Sequence, residues 1–250
     1  MCDLAHLAAE SGDPRFAVVS SKLASRRLIA DLGLAHAETY AVVESAMLTV
    51  HLRDECVAKP LDGDASIGVV ALVRRSDKWF DLRRGRWFTD ETLELLAANV
   101  AAQKPMWGDD WIVEELLRSP HDHVPIADEF KVYTFGGVPR FVLQRRAVTG
   151  RTGYRVWSPH GDCITDILAP TNLKIIDPML DPPFDIDGIV DIARTVAAAL
   201  PDLGFHRVDV FESTRGLCVG EVNGWVGGAQ YHPYWDRLFV EWWNSALAVA

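Results

Sequence analysis

The sequence is poor in cysteine and in long apolar runs. Its 250 residues include four cysteines, none of them in a CxxC pair: Cys2, Cys56, Cys163 and Cys218. This scatter argues against a disulfide framework or a zinc site and favours reduced, mostly buried thiols. No apolar run reaches the ~18–20 residues that cross a bilayer, and the amino terminus lacks the pattern of a signal peptide. We therefore expect a cytoplasmic protein with no membrane segment.

Basic charge is also scarce. The formal net charge is −10, which argues against sequence-independent binding of nucleic acid because such binding needs a basic surface. A local basic site for phosphates stays compatible with this balance. The hydrophobic content of 49% and the charged content of 24% are typical of a soluble globular protein. The length allows one large domain or two smaller ones.

The two commonest nucleotide-binding motifs are missing. No GxGxxG follows a predicted strand, and no GxxxxGK[ST] occurs, so the Rossmann and P-loop solutions fit poorly. The predicted order is α+β, with antiparallel hairpins and interspersed helices. Helices are predicted from residues 20 and 89 onward and over 186–200, and strands over 56–60, 69–73, 79–82, 86–88, 130–135 and 140–144.

Aromatic residues at helical spacing mark the C-terminal region. They predict a helix that contains Trp235, Leu238, Phe239, Trp242 and Ala246. Packing in the core is the first interpretation of this face, and a homodimer interface is the alternative.

Two short runs near the C-terminus carry polar residues at alternate positions. Arg207 and Asp209 share a face of the first predicted strand, and Glu221 and Asn223 share a face of the second. The intervening residues 213–216 predict a turn, so the two strands form an antiparallel hairpin. If Asp209 lies opposite Glu221, their Cβ atoms are roughly 5 Å apart. Such oxygen ligands suit Mg²⁺ and the arginine suits a phosphate; the alternative is a solvated hairpin face.

A lysine ends the strand predicted over 56–60. Lys59 precedes a loop of small residues, 62–68, which contains Ser66. Backbone N–H groups of such a loop can bind a phosphate while the lysine neutralises it. The alternative is a solvated lysine beside a turn.

Two acids, Glu114 and Glu115, interrupt the apolar run 112–117. Both cannot lie in the core, so one of them is predicted to accept a hydrogen bond from an exocyclic amine while nearby backbone groups recognise a purine edge. The alternative is an edge strand with one solvated acid.

Further cations lie on neighbouring predicted strands. Lys131 alternates with apolar residues and therefore has a defined face, and either Arg145 or Arg146 follows on the next strand. Charge on a sheet surface is the alternative interpretation.

In their order along the chain, these motifs resemble the ATP-grasp superfamily, in particular its branch associated with teichuronopeptide synthesis. The resemblance spans about residues 20–223. The residues that carry it are Ser21-Lys22-Leu23, Val57-Ala58-Lys59-Pro60, residues 112–117, residues 128–137, Arg207-Val208-Asp209 and Gly220-Glu221-Val222-Asn223.

The resemblance implies two α+β subdomains that clasp a nucleotide cleft. We expect a short segment over 1–19, a small subdomain with the phosphate loop over 20–110, and a C-terminal subdomain with the metal site over 111–250. The N-terminal subdomain that precedes these in most members is expected to be reduced or absent. The sequence at 224–228 also lacks the proline that often follows the metal-binding asparagine.

The resemblance also implies residue roles. Those expected to bind ATP are Lys22, Lys59, Ser66, Glu114, Glu115, Leu116, Leu117 and Lys131. Asp209, Glu221 and Asn223 are expected to bind Mg²⁺. Arg207 and Lys131 are the expected catalytic residues, with Arg207 at the transferring phosphoryl group.

The implied activity is an ATP- and Mg²⁺-dependent carboxylate–amine (or thiol) ligase that acts through an acyl phosphate. Its substrates would be small-molecule or peptide carboxylates and amines, with no nucleic acid and no membrane partner. A phosphotransferase on the same scaffold and a non-catalytic nucleotide-binding protein are the alternatives.

Overall fold

The chain folds into two α+β units, each built around one β-sheet. The computed structural model describes residues 18–64, 66–165, 177, 180–201, 203–224 and 233–247. The described residues of the larger unit come from 1–36, 128–146 and 152–250, and those of the smaller unit from 37–127 and 147–151.

The smaller unit contains a six-stranded sheet. Its strands are β1 (Thr39–Glu44), β2 (Glu55–Pro60), β3 (Val70–Arg75), β4 (Lys78–Asp81), β5 (Arg86–Phe88) and β6 (Asp110–Glu114), and its helices are α2 (Leu48–His51) and α3 (Asp90–Gln103). Single 3₁₀ turns occupy Ser45–Met47 and Pro105–Trp107. The strands lie in the order β1-β6-β2-β3-β4-β5, and all their registered pairs are antiparallel.

Helix α3 covers one face of this sheet. It begins after a capping box in which the Thr89 hydroxyl accepts from the Thr92 N–H and the Thr92 hydroxyl accepts from the Thr89 N–H. Its buried side chains pack with Cys56 and Ala58 of β2. Because side chains alternate along a strand, Lys59 must face the other side of the sheet.

The larger unit contains a five-stranded sheet and several helices among its described residues. The helices are α1 (Lys22–Asp31), α4 (Ile186–Ala199) and α5 (Pro233–Leu247), and the strands are β7 (Asp128–Phe135), β8 (Val138–Val148), β9 (Arg151–Trp157), β10 (Phe205–Ser213) and β11 (Gly216–Asn223). The strand order is β11-β10-β7-β8-β9.

The two faces of this sheet differ in character. One face packs against α4 through a core that includes Val132, Val208, Ile189 and Ala193. The other face packs part of its surface against α5 through an aromatic cluster, which consists of Tyr133, Phe135, Phe141, Phe205 and Phe239 together with flanking apolar residues. The rest of that second face carries charged side chains, which form the candidate site.

The structure confirms most of the predicted elements. Ser21 caps α1 at the predicted start of the first helix, and the two glycines of the β7–β8 turn, Gly136 and Gly137, both have positive φ angles. The β10–β11 hairpin is antiparallel as predicted. Strands β1 and β9 were not predicted. Helix α5 confirms core packing for Leu238, Phe239 and Trp242, whereas the side chains of Trp235 and Ala246 lie outside the described residues.

The division of the chain differs from the expected boundary at residues 110 and 111. Strand β6 pairs with β1 and β2, so the run 112–117 belongs to the smaller unit. Helix α1 instead lies against β11 of the larger unit, where the Ser25 hydroxyl accepts from the Val222 N–H at 2.7 Å. Hydrogen bonds between segments distant in sequence therefore decide the boundary.

The described thiols are free, with Cys56 and Cys218 buried but Cys163 exposed. Burial is therefore confirmed for two of these three cysteines, and Cys2 lies outside the described residues. No helix among the described residues is long and apolar enough to cross a bilayer.

A histidine and a threonine form a buried polar pair beneath α4. His206 of β10 lies opposite Thr134 of β7, and neither side chain has a hydrogen-bond partner within the described part of the chain. Burial lowers the pKa of His206 to about 4, and the nearby Ala193 backbone opposes this shift. His206 is therefore neutral in the folded protein at pH 7.

We expect the pH dependence of stability to reflect His206. The unfolded chain takes up the proton near pH 6.5 and the folded chain only near pH 4, so the free energy of unfolding falls as pH drops through this window. The loss should reach about 3 kcal/mol. His206→Leu should remove this part of the slope in urea titrations between pH 7 and pH 4. Thr134→Val should keep the slope, and an unchanged slope in His206→Leu would contradict the assignment.

Candidate functional site

A row of alternating charges crosses one face of the larger sheet. Lys131 Nζ lies 2.7 Å from Glu129 Oε1 and 2.6 Å from Asp209 Oδ2. Arg145 Nη1 binds the second oxygen of Glu129 at 2.9 Å. Glu129 and Lys131 are two positions apart on β7, and Arg145 and Asp209 lie on the adjacent strands β8 and β10. The period of two therefore places all four side chains on one face.

The guanidinium group of Arg207 binds both carboxylate oxygens of Asp209. Its Nε lies 2.6 Å from Oδ1 and its Nη2 lies 2.8 Å from Oδ2, and the two side chains are 11% and 4% exposed. A buried carboxylate is costly unless it is paired and hydrogen-bonded. Bidentate binding by an arginine meets this requirement and also orients the carboxylate.

The electrostatics of the row follow from this pairing. Burial alone would raise the pKa of the Glu129 carboxyl, but Lys131 and Arg145 hold that pKa well below its usual range. Burial likewise opposes the charge of Arg207, and Asp209 outweighs it and raises the arginine pKa. Both groups therefore stay ionised at pH 7.

The expected cross-strand pairing is present in the β10–β11 hairpin. Asp209 lies opposite Glu221, and Arg207 lies opposite Asn223. The register shifts between Asp209 and the next residue, and Gly220 lies at this β-bulge. A Cβ atom at Gly220 would overlap the Phe211 ring, so the bulge requires a glycine.

The donor set of the hairpin is compatible with a divalent cation. Among the described residues no three His, Cys, Asp or Glu side chains are grouped for a metal, so the amide of Asn223 would have to complete the set. The Glu221 carboxylate makes no hydrogen bond to a described residue. Asp209 uses three of its roughly four lone-pair sites for Arg207 and Lys131, which leaves one on Oδ1. Oxygen donors of this kind fit Mg²⁺.

A second ion pair lies in the smaller unit. Lys59 Nζ binds Glu114 Oε1 at 2.6 Å, and the two side chains are only 15% and 9% exposed. Both alternatives considered from the sequence are therefore wrong: Lys59 is not a solvated lysine, and β6 is not an edge strand because it lies between β1 and β2. Glu115 lies at the exit of β6, where its N–H donates to the Glu38 carbonyl at 2.8 Å.

The two leucines after Glu115 have different surroundings. Leu116 is buried against Ala71 and Val73 on the face of the smaller sheet opposite α3. The Leu117 carbonyl accepts from the Ala127 N–H at 3.0 Å, whereas no described residue accepts from the Leu117 N–H.

The loop after Lys59 turns tightly around Pro60. Cβ atoms at Gly63 and Gly68 would lie 2.9 and 2.8 Å from the proline ring, and Gly68 has a φ angle of +75°. Ser66 also has a positive φ angle, +61°. Small residues are required here because the backbone approaches the ring closely. Ala65 lies outside the described residues.

The remaining basic side chains lie at different places in the larger unit. Lys22 is the first residue of α1, half-buried, and the contacts described above do not include it. Arg146 binds Asp128 with 2.7 and 2.8 Å hydrogen bonds, and Asp128 alternates with Glu129, so this pair lies on the opposite face. Arg145 is therefore the arginine of the charged row. Sequence reasoning missed Glu129, although its spacing from Lys131 places it on the same face.

The fold resembles solved ligases. The VanG D-Ala:D-Ser ligase from Enterococcus faecalis superposes with a TM-score of 0.55 at 14% identity, over 93% of this chain and 62% of that one. The D-alanine–D-alanine ligase from Bacillus anthracis superposes with a TM-score of 0.52 at 16% identity, over 93% of this chain and 68% of that one. Its complex with ATP gives 0.51 at 14% identity, over 93% and 67%.

The chain has the ATP-grasp fold. No protein-family model matches the sequence, and no curated protein sequence matches it. At these identities the likeness concerns the fold alone. The chain spans between about three fifths and two thirds of the length of these neighbours.

We expect Gly68→Ala to destabilise the protein more than a glycine substitution at a similar φ angle that has no close neighbour. Gly137 has a φ angle of +77°, and a Cβ atom added there would have no described atom within 4 Å, so Gly137→Ala should cost about 1–2 kcal/mol from its positive φ angle alone. Gly68→Ala adds the contact with Pro60 and should cost at least about 1 kcal/mol more. Urea unfolding of both variants measures the difference, and equal losses would contradict the close packing of the loop.

Proposed function

We propose that the protein is an ATP- and Mg²⁺-dependent ligase that joins a carboxylate to an amine, or to a thiol, through an acyl phosphate. The observation that carries this proposal is the convergence of Lys131 and Arg207 on the buried Asp209, on a sheet of the ATP-grasp fold. The structural neighbours are named as ligases, which supports the same class. The resemblance to the teichuronopeptide branch stays a prediction.

In the smaller unit, we assign adenine binding to the segment 114–117. No described residue accepts from the Leu117 N–H, which is suited to donate to an acceptor on the purine edge, and the buried Leu116 packs against the smaller sheet. A carboxylate of Glu114 or Glu115 accepts from the exocyclic amine.

Phosphate binding in the same unit is assigned to Lys59 and the loop that bears Ser66. Glu114 holds Lys59 in place at 2.6 Å, so little side-chain entropy is lost when a phosphate binds. Backbone N–H groups of a small-residue loop of this kind suit an anion. Lys22 is assigned to the phosphates by resemblance alone.

In the larger unit, Asp209, Glu221 and Asn223 would hold Mg²⁺, which would neutralise charge on the phosphates and polarise the γ-phosphoryl group. Lys131 has three N–H donors and two described partners, so its third donor can bind a phosphoryl oxygen. Arg207 is fixed by its two bonds to Asp209, and its positive charge stabilises the charge that develops during transfer.

The proposed reaction has two steps. An oxygen of the substrate carboxylate attacks the γ-phosphorus, the bond to the β-phosphate oxygen breaks, and ADP leaves. The amine nitrogen then attacks the acyl carbon, phosphate leaves with the bonding electrons, and the amine proton passes to solvent or phosphate. The side chains position and neutralise charge in both steps and form no covalent bond.

Product analysis separates this reaction from the phosphotransferase considered from the sequence. An ADP-release screen over amino acids and peptides identifies the acid and the amine. An amide product with equimolar ADP and phosphate supports the ligase, a stable phosphorylated product supports the phosphotransferase, and ATP binding without turnover supports a non-catalytic protein.

We expect Glu221→Ala to abolish ADP formation, a loss of at least about 10³-fold, while the protein stays folded. The reason is that Glu221 would contribute a metal-ligating carboxylate without any hydrogen bond to a described residue that supports the fold. Coupled-assay rates and far-UV circular dichroism measure the two quantities.

Glu241→Ala is the matched control, because Glu241 is exposed on α5 and has no place in the site. It should retain the rate of the unaltered protein. Full activity in Glu221→Ala would refute the metal assignment.

A further inference from the structure

Lys131 and the metal ion of the proposed site would compete for the carboxylate of Asp209. Lys131 Nζ lies 2.6 Å from Asp209 Oδ2, and Arg207 binds both oxygens of that carboxylate. Only about one of the four lone-pair sites of Asp209 is left. A divalent cation that binds Asp209 therefore places two positive charges beside the ammonium group, so the cation and Lys131 oppose each other.

Glu129 is the second partner of this lysine. Its Oε1 lies 2.7 Å from Lys131 Nζ, and its Oε2 is bound by Arg145 at 2.9 Å. Arg145 therefore fixes the Glu129 carboxylate, and the position of Glu129 does not depend on Asp209.

We propose that Glu129 is a positioning residue for Lys131. It gives the ammonium group a second carboxylate partner, so that Lys131 can move away from Asp209 when the metal ion binds. This inference rests on the proposed function, since it concerns the metal and nucleotide of that site. With Glu129 present, the ammonium group keeps a carboxylate partner while Asp209 turns its free lone pair to the cation. Without it, Asp209 is the one described carboxylate left to Lys131, and lysine and metal compete directly.

The chain offers a matched control on the same strand. Asp128 precedes Glu129, is buried and also pairs with an arginine, Arg146. It faces the opposite side of the sheet. Asp128→Asn therefore removes the same charge and a comparable ion pair without touching Lys131.

The test measures metal and nucleotide binding separately. Mn²⁺ binding is followed by electron paramagnetic resonance in the presence of a saturating non-hydrolysable ATP analogue, and binding of the analogue without metal is followed by calorimetry. Glu129→Gln should weaken Mn²⁺ binding by about tenfold, the usual effect of losing a group that orients a metal ligand. It should not weaken binding of the metal-free analogue, because a negative charge near the phosphates has been removed. Asp128→Asn should change neither affinity by more than about threefold.

A double-mutant cycle with Lys131→Met decides whether Glu129 acts through the lysine. If it does, Glu129→Gln has no effect on Mn²⁺ affinity once Lys131 is replaced, because the competitor is gone. A tenfold loss that persists in the Lys131→Met background would overturn the inference and indicate a general charge effect. A protein that binds no ATP analogue at all would instead refute the proposed function, so the two failures are distinct.

Discussion

The buried carboxylate of Asp209 is the charge around which the larger unit is organised. A carboxylate that is only 4% exposed is tolerated because Arg207 grips both of its oxygens and Lys131 adds a third bond. Lys131 in turn pairs with Glu129, and Glu129 pairs with Arg145, so the compensation of charge extends across β10, β7 and β8. A charge placed on one strand thereby determines residues on its neighbours, and the row acts as one unit.

The packing of the helices determines which part of the larger sheet can carry this row of charges. Helix α4 takes the apolar face of the five-stranded sheet, and α5 takes the aromatic part of the other face. The remaining surface is flanked by apolar groups, which strengthens its ion pairs but makes any unpaired charge costly. The Lys59–Glu114 pair in the smaller unit follows the same rule, since α3 covers the opposite face of its sheet. Each unit thus presents one face on which charged side chains are paired.

Alternation along single strands was predictable because its period is a property of the backbone. It correctly placed Arg207 with Asp209 on one face, and it predicted the β10–β11 hairpin from the turn residues. It did not identify Glu129, because an acid two positions from a lysine is common on any solvated strand. Nor could it choose between Arg145 and Arg146, since neighbouring residues differ only in the face they occupy and the register with β7 makes that choice.

The sequence by itself determined the α+β class and most of the helices and strands, and it predicted residues for binding phosphate and a cation. Local rules suffice for these features, because caps, turns and side-chain periodicity depend on neighbours a few residues away. Only the tertiary structure decided that the run 112–117 pairs within the smaller sheet, that α1 lies beside β11, and that Asp209 is shared between Arg207 and Lys131. These features depend on hydrogen bonds and ion pairs between segments many residues apart, which packing of the whole chain selects.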